Sequence, residues 1–324
     1  MPAARPTTAA VPADTAVPAD TAIGADTAVG AGPGPTHPLP TLDLLLLAVS
    51  IGGISLSGPL ISATAAPALA IAFWRNVMSV GALGPYALLR HRAELRGIGR
   101  RALLLAIAAG ALLAVHFALW MPSLRMTSVA SATALVTTTP LWTILLMRLM
   151  GVRAPRMVWL GTVVAFAGVL VLTGVDLSLS PRALLGDALA LAAGLAAAGY
   201  MLLGAEVRRT VSTTAYTLVC YATTAVGLLG ICLVAGTPLA GWPAGAWWQI
   251  ALLMVTAQLL GHSLSSRVVR NLGPSITSTA ILLETPGAAL IAALWLGQWP
   301  PVAAYPAVVL ILLGLVLVAR GGRR

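Results

Sequence analysis

Three observations predict an all-α integral membrane protein of ten transmembrane helices arranged as two inverted five-helix repeats. The first is apolarity: 59% of the 324 residues are hydrophobic and 9% charged, with a mean hydropathy of +0.94, whereas roughly a quarter of a soluble domain is charged. The second is a regular alternation of arginines along the chain. The third is an internal repeat.

A spanning helix needs about 20 mainly apolar residues, and segments of that kind are read at 42–63, 68–89, 102–122, 127–149, 157–175, 183–204, 213–235, 247–267, 274–296 and 302–319. Pro67, Pro122, Pro155, Pro181, Pro238, Pro243, Pro274 and Pro300 punctuate the gaps. Residues 1–40 stand apart: VPADTA, VPADTA and IGADTA precede a Gly/Pro stretch, the composition of a disordered tail. Arg5 is followed by Pro, Thr, Ala and Asp rather than the apolar core of a signal peptide, so the first apolar segment is expected to be retained.

Short cytoplasmic loops carry the excess of positive residues. Arg90, Arg92, Arg96, Arg100 and Arg101 follow the second segment, Arg148, Arg153 and Arg156 the fourth, and Arg208 and Arg209 the sixth. Arg267 and Arg270 flank the end of the eighth, and Arg320, Arg323 and Arg324 close the chain. The other side carries Arg125 and Arg182. Both termini are therefore expected in the cytoplasm, and a missed helix would scramble the pattern. The net charge of +10 comes from arginine alone and is spread over these loops, so no nucleic-acid patch is expected.

Shifting the chain by 146 positions pairs Gly53 with Gly199, Gly58 with Gly204, Gly81 with Gly227, Gly84 with Gly230 and His116 with His262. The register continues through Thr139-Pro140 with Thr285-Pro286, Gly151 with Gly297, Pro155 with Pro301 and Gly168 with Gly314. The chain therefore reads as a tail over 1–40 and two five-helix units over 41–178 and 179–324. Because five is odd, the second unit must cross in the opposite sense, a device of secondary transporters that hold solute near the midplane.

The stretches IAFWRNVMSVGALGPYALL, HFALWMPSLRMTSVASATALVTTTPLWTILL and SSRVVRNLGPSITSTAILLETPGAALIAALWLGQ resemble the two repeats of EamA-type transporters of the drug/metabolite transporter superfamily. The resemblance runs from about residue 42 to 319 and includes the LLE-then-Pro and closing LG elements. It implies an inner-membrane carrier of small metabolites or drug-like solutes, often an exporter, with a central cavity. Two positions depart from the family pattern. Thr285 separates Glu284 from Pro286, and Gln298 stands where Glu often follows the LG. The absence of lysine beside heavy Ala, Gly, Arg and Pro usage fits a GC-rich bacterial genome, and the bacterial cytoplasmic membrane is the expected location.

Ionisable groups inside spans are costly and mark candidate sites. Glu284, near the middle of the ninth segment, is a candidate for proton coupling; the other reading is a structural carboxylate. Arg75, flanked by Trp74 and Asn76, has the planar fork that holds a carboxylate or phosphate bidentately, or it snorkels or pairs with Glu284. His116 and His262 occupy equivalent places and either touch solute, relay protons or pack. Trp120, Tyr200, Tyr221 and Gln258 are candidates for the same cavity. Glu206 reads as part of a solvated helix end beside Arg208 and Arg209, and Trp242, Trp247 and Trp248 as an interfacial belt.

Cys220 and Cys232 lie about 18 Å apart along one helix at 1.5 Å per residue, beyond disulfide reach, and no Cys/His spacing suits a metal. No P-loop, GxSxG, HExxH or GxGxxG occurs. No cofactor, nucleotide or metal is expected. The partners are a small-molecule solute, the bilayer and, as the assembly to test, a second copy in a homodimer. The alternative class is an intramembrane enzyme acting on a lipid-soluble substrate.

Overall fold

The computed structural model describes residues 41–151, 154–261, 264 and 283–321, with backbone alone at 173–179 and 319. The expected tail over 1–40, His262, Arg153, Arg267, Arg270, Arg323 and Arg324 lie outside the described residues. Everything described is helix and connection: α1 Thr41–Ser55, α2 Ser57–Ala63, α3 Ala68–Arg90, α4 Arg92–Gly97, α5 Arg100–Ser123, α6 Val129–Val136, α7 Thr139–Leu149, α8 Arg156–Leu179, α9 Pro181–Val207, α10 Thr213–Val234 and α11 Ala244–Leu253. A π-helical stretch Met254–Gly261 continues α11, and α12 Glu284–Leu296 and α13 Ala304–Gly321 follow. Among the described residues, six helical stretches are long and apolar enough to cross a membrane: 41–63, 100–123, 129–149, 181–207, 213–234 and 244–261.

Proline explains two interruptions that hydropathy had merged into single segments. Pro59 lacks the N–H that would bond the Ser55 carbonyl, and α1 gives way to α2 at Leu56. Pro140 likewise frees the Val136 carbonyl, between α6 and α7. Three consecutive threonines repair that break: Thr137 Oγ1 donates to Ala134 O at 2.9 Å, Thr138 Oγ1 to Leu135 O at 2.6 Å, and Thr139 Oγ1 to Val136 O at 2.8 Å. Carbonyls freed in a membrane need such internal donors.

The repeat register is visible in the packing. Gly151 and Gly297, 146 positions apart, both take positive φ, 89° and 67°, the left-handed conformation glycine tolerates at helix ends. α8 and α13 cross so closely that a β-carbon on Gly161 would lie 2.6 Å from Gly314 O, and one on Gly168 would lie 2.8 Å from Ala307 O. Adding 146 to Gly161 gives Ala307, and to Gly168 gives Gly314, so the two contacts exchange under the repeat. The break before α7 and the start of α12 also fall at equivalent positions, and there Thr137 and Thr285 place their hydroxyls 3.2 Å apart.

Arg125, an exception to the arginine alternation, has a structural reason. Its Nη2 donates to the carbonyls of Ile61, Thr64 and Ala66 at 3.2, 2.7 and 2.8 Å, stapling the chain after α2 to the α5–α6 connection. Burial there pushes its pKa below the ordinary arginine value.

Candidate functional site

The centre of the bundle is built around Arg75, which α3 carries into the interior at 3% exposure. A buried guanidinium is costly unless it is satisfied. Its Nε donates to Gln258 Oε1 at 3.0 Å, and its Cζ lies 4.7 Å from the centroid of the Phe117 ring, a cation–π stack. The terminal nitrogens have no hydrogen-bond partner among the described residues.

Gln258 reaches Arg75 from the π-helical stretch, a form often found at functional sites. The widened backbone there is held by Ser50, whose Oγ donates to Gly261 O at 2.6 Å, and Gly53 permits close approach, since a β-carbon would lie 2.7 Å from Thr256 O. Gln258 Nε2 is buried without a partner among the described residues, as are Trp120 Nε1 and Asn76 Oδ1.

α5 supplies an aromatic wall. His116 stacks on Trp120, with centroids 5.9 Å apart and planes at 19°, and its Nδ1 lies 2.9 Å from Ala193 O of α9. That contact places a proton on Nδ1 to donate to the carbonyl and leaves Nε2 as an acceptor. Tyr221 of α10 adjoins Gln258 and Arg75. Tyr221 is the repeat-equivalent of Arg75, 146 positions on, so the two copies of one position meet in the same site.

The structure thus brings together Arg75, His116, Trp120, Tyr221 and Gln258 from four helical elements. Asn76 is fully buried beside them, its Nδ2 bonded back to Ala72 O at 2.8 Å. Trp74 points elsewhere: its Nε1 donates to Leu239 O at 2.7 Å and its ring packs edge-on against Trp247. Trp242 packs on Trp247 as well, so within the expected belt Trp248, 78% exposed, is the outward-facing member. Tyr200 adjoins Tyr216 and Tyr221, at the edge of the cluster.

Glu284 is half-buried at the first turn of α12 and is not paired with Arg75; among the described residues it makes no salt bridge. Its backbone carbonyl accepts from Ser55 Oγ at 3.4 Å. A cavity of about 190 Å³, lined by Ala130, Thr285, Pro286 and Tyr305 among others, borders this turn.

Sequence reasoning missed Phe117, although it directly follows His116, because an apolar ring in an apolar helix carries no signal until an arginine is seen over it. It also passed over Asp187, which lies on the second turn of α9 at 1% exposure. α9 begins at Pro181, and Gly186 lets the backbone at Thr127 approach so closely that a β-carbon would lie 2.9 Å from its nitrogen, covering this turn. Glu206 is the solvated helix end expected, with Arg209 at 3.2 Å and Arg101 at 3.7 Å.

Comparison with known proteins adds the decisive observation. The profile of the EamA-like transporter family matches residues 41–174 and again 184–320. The chain belongs to the EamA-like transporter family. This makes it a membrane transporter of the drug/metabolite transporter superfamily, as the resemblance implied, and the two EamA matches fall on the two copies of the repeat. A crystal structure of a protein aligns with this EamA chain at a TM-score of 0.57 and 20% identity, over 88% of this chain and 99% of the other, which shows the fold. No curated relative matches the sequence.

Proposed function

We propose that this EamA protein is a secondary carrier that exports a small organic solute bearing an anionic group. In this reading ten helices form two inverted five-helix units, 41–178 and 179–324, in a bacterial cytoplasmic membrane with both termini inside. The observation that carries it is Arg75, a buried cation at the meeting of the two repeats whose terminal nitrogens have no partner among the described residues. Gln258 and Phe117 fix its plane while the terminal donors stay available to an oxyanion. Gln258 Nε2 and Trp120 Nε1 add donors, and the rings of Phe117 and Trp120 suit an apolar body beside the charge.

Glu284 is the coupling residue in this reading. It stands in the first turn of α12, without a counter-ion among the described residues, two residues before Pro286. A carboxylate exposed alternately to two compartments loads a proton on one side and releases it on the other.

Accumulation of carboxylate-bearing solutes in liposomes under an imposed pH difference tests the proposal. Wild type accumulates solute, and Glu284→Gln binds solute but no longer accumulates it. Full gradient-driven accumulation by Glu284→Gln rejects coupling through this residue, and no solute flux by wild type for any member of a broad carboxylate panel rejects the carrier reading. Outside-only labelling of a cysteine at Ala240 but not at Arg96 checks the orientation.

A further inference from the structure

One polar cluster takes no part in the site just described. The connection between α3 and α5 folds into the short helix α4, whose Glu94 is the one acid among the arginines at 90–101. Glu94 crosses from the first repeat to the second. Its Oε1 accepts from the Ser212 backbone N–H at 2.5 Å and its Oε2 from Ser212 Oγ at 2.7 Å. His91 Nδ1 lies 3.0 Å from the same Oε2.

Ser212 is the N-cap of α10, its Oγ accepting from Ala215 N at 3.3 Å. In a capping box the residue at N3 returns a carboxylate to the N-cap N–H. Here N3 is Ala215, and Glu94 supplies the missing carboxylate from the other repeat. The helix start of one half is therefore completed by the other half, at the arginine-rich end of the bundle.

Three features make this contact releasable. The side chains of His91 and Glu94 are 26% and 31% exposed, so water replaces their bonds on parting. Behind α4 lies a cleft of about 590 Å³, lined by Glu94, Gly97, Gly99, Arg101, Glu206 and Thr210 among others, which gives the segment room. Gly97 and Gly99 connect α4 to α5 where a β-carbon would meet nothing within 4 Å. Packing does not require glycine there, and its backbone freedom serves as a hinge. The connection before α11 occupies the equivalent place in the second repeat and is held differently, through Trp74, Leu239 and Trp247, with both Trp74 and Trp247 partly buried.

We infer that Glu94 and Ser212 form a latch between the two repeats that closes the arginine-rich end, and that this end opens when α4 swings off the α10 N-terminus about Gly97 and Gly99. The inference rests on the alternating-access reading, in which each end must part in turn. Its chemistry is a charge-assisted cap made and broken once per cycle. The aromatic contact at the other end has no ionised acceptor, so the two gates differ in what releases them.

The test is a pair of electron–electron distances in the full chain in nanodiscs, with Cys220 and Cys232 replaced by alanine. Spin labels go on cysteines at the exposed positions Arg96 and Thr210, and in a second sample at Ala65 and Ala240. In Glu94→Ala the longer Arg96–Thr210 population rises about tenfold, the effect of losing roughly 1.4 kcal/mol, while Ala65–Ala240 does not lengthen. Glu94→Gln, which keeps the size and loses the charge, gives a smaller rise and serves if the alanine variant does not insert. An unchanged Arg96–Thr210 distribution in the inserted variant overturns the latch, and so does equal lengthening at both ends, which marks general loosening. The distances are read without solute, so a shifted distribution alongside absent liposome flux keeps the latch and rejects the carrier, whereas normal flux with unshifted distances rejects the latch alone.

Discussion

The two repeats share a scaffold and differ in chemistry at the positions that meet in the middle. Arg75 in the first stands where Tyr221 stands in the second, Gln258 in the second where Leu112 stands in the first, and Glu284 in the second where Thr138 stands in the first. The backbone differs at one of these places too, since α5 is regular where its counterpart turns to π geometry over Met254–Gly261. Positions that set the fold match across the repeat: Gly151 with Gly297, Gly168 with Gly314, Thr139-Pro140 with Thr285-Pro286. The shared positions hold the frame, and the few that differ give the interface between the repeats a buried Arg75 on one side and, among the described residues, a Glu284 without a salt bridge on the other.

The largest effect expected of any substitution is at the shared frame. Gly168→Leu drives a side chain into the α13 backbone, where even a β-carbon would lie 2.8 Å from Ala307 O. Overpacking of this kind costs about 1–3 kcal/mol or more, so thermal unfolding in detergent should shift steeply down or the protein should fail to insert. Gly81→Ala is the control, because a β-carbon there meets nothing within 4 Å. It should be neutral or stabilising by up to about 1 kcal/mol. Equal behaviour of the two would mean that the α8–α13 crossing does not hold the repeats together.

Making the halves more alike at the site has the next largest effect. Gln258→Leu copies the first repeat's Leu112 and leaves Arg75 Nε buried without its acceptor, at a cost of about 1–3 kcal/mol, read as a lower unfolding temperature. The reverse change, Leu112→Gln, has no buried cation waiting for it and should not compensate in the double variant. A smaller loss, about 1 kcal/mol, is expected for Thr139→Val, which removes the donor to Val136 O.

The smallest expected change is a null across mild acidity. The bonds from Ser212, first the backbone N–H and then the hydroxyl, hold Glu94 below the ordinary carboxylate value of 4.5. A depressed carboxyl stabilises its contact above that value and loses it as pH falls through the lowered one. Beyond His91, the charged groups lining the adjoining cleft are Arg100 and Arg101 of α5 and Glu206 and Arg209 at the end of α9. The Arg96–Thr210 distance should therefore be the same at pH 8 and pH 5 and lengthen only as pH falls below 4.5 through the lowered value of Glu94. Lengthening already at pH 6 would show that another group governs the closure.

The family and the repeat were legible because glycines and prolines report backbone geometry directly. The helix breaks were only half legible. TTTP announces a proline, but that three hydroxyls repair three carbonyls needs coordinates, and hydropathy cannot separate α6 from α7. Arg75 stood out by its charge, whereas Phe117, the ring beneath it, is an ordinary apolar residue by composition. Glu94 was hidden by its arginine neighbours, and its partner Ser212 lies 118 positions away in sequence.

The central claim is that Arg75 holds an anionic group at the meeting of the two repeats. Thermal unfolding of the purified protein with a panel of carboxylate-bearing solutes tests it most directly, since a ligand that binds the native state raises apparent stability by mass action. Wild type should be stabilised by at least one such solute. Arg75→Lys, which keeps the charge but loses the fork, should need about tenfold more solute for the same shift, and Arg75→Gln should show none. The same stabilisation by the same solute in all three proteins would contradict the account.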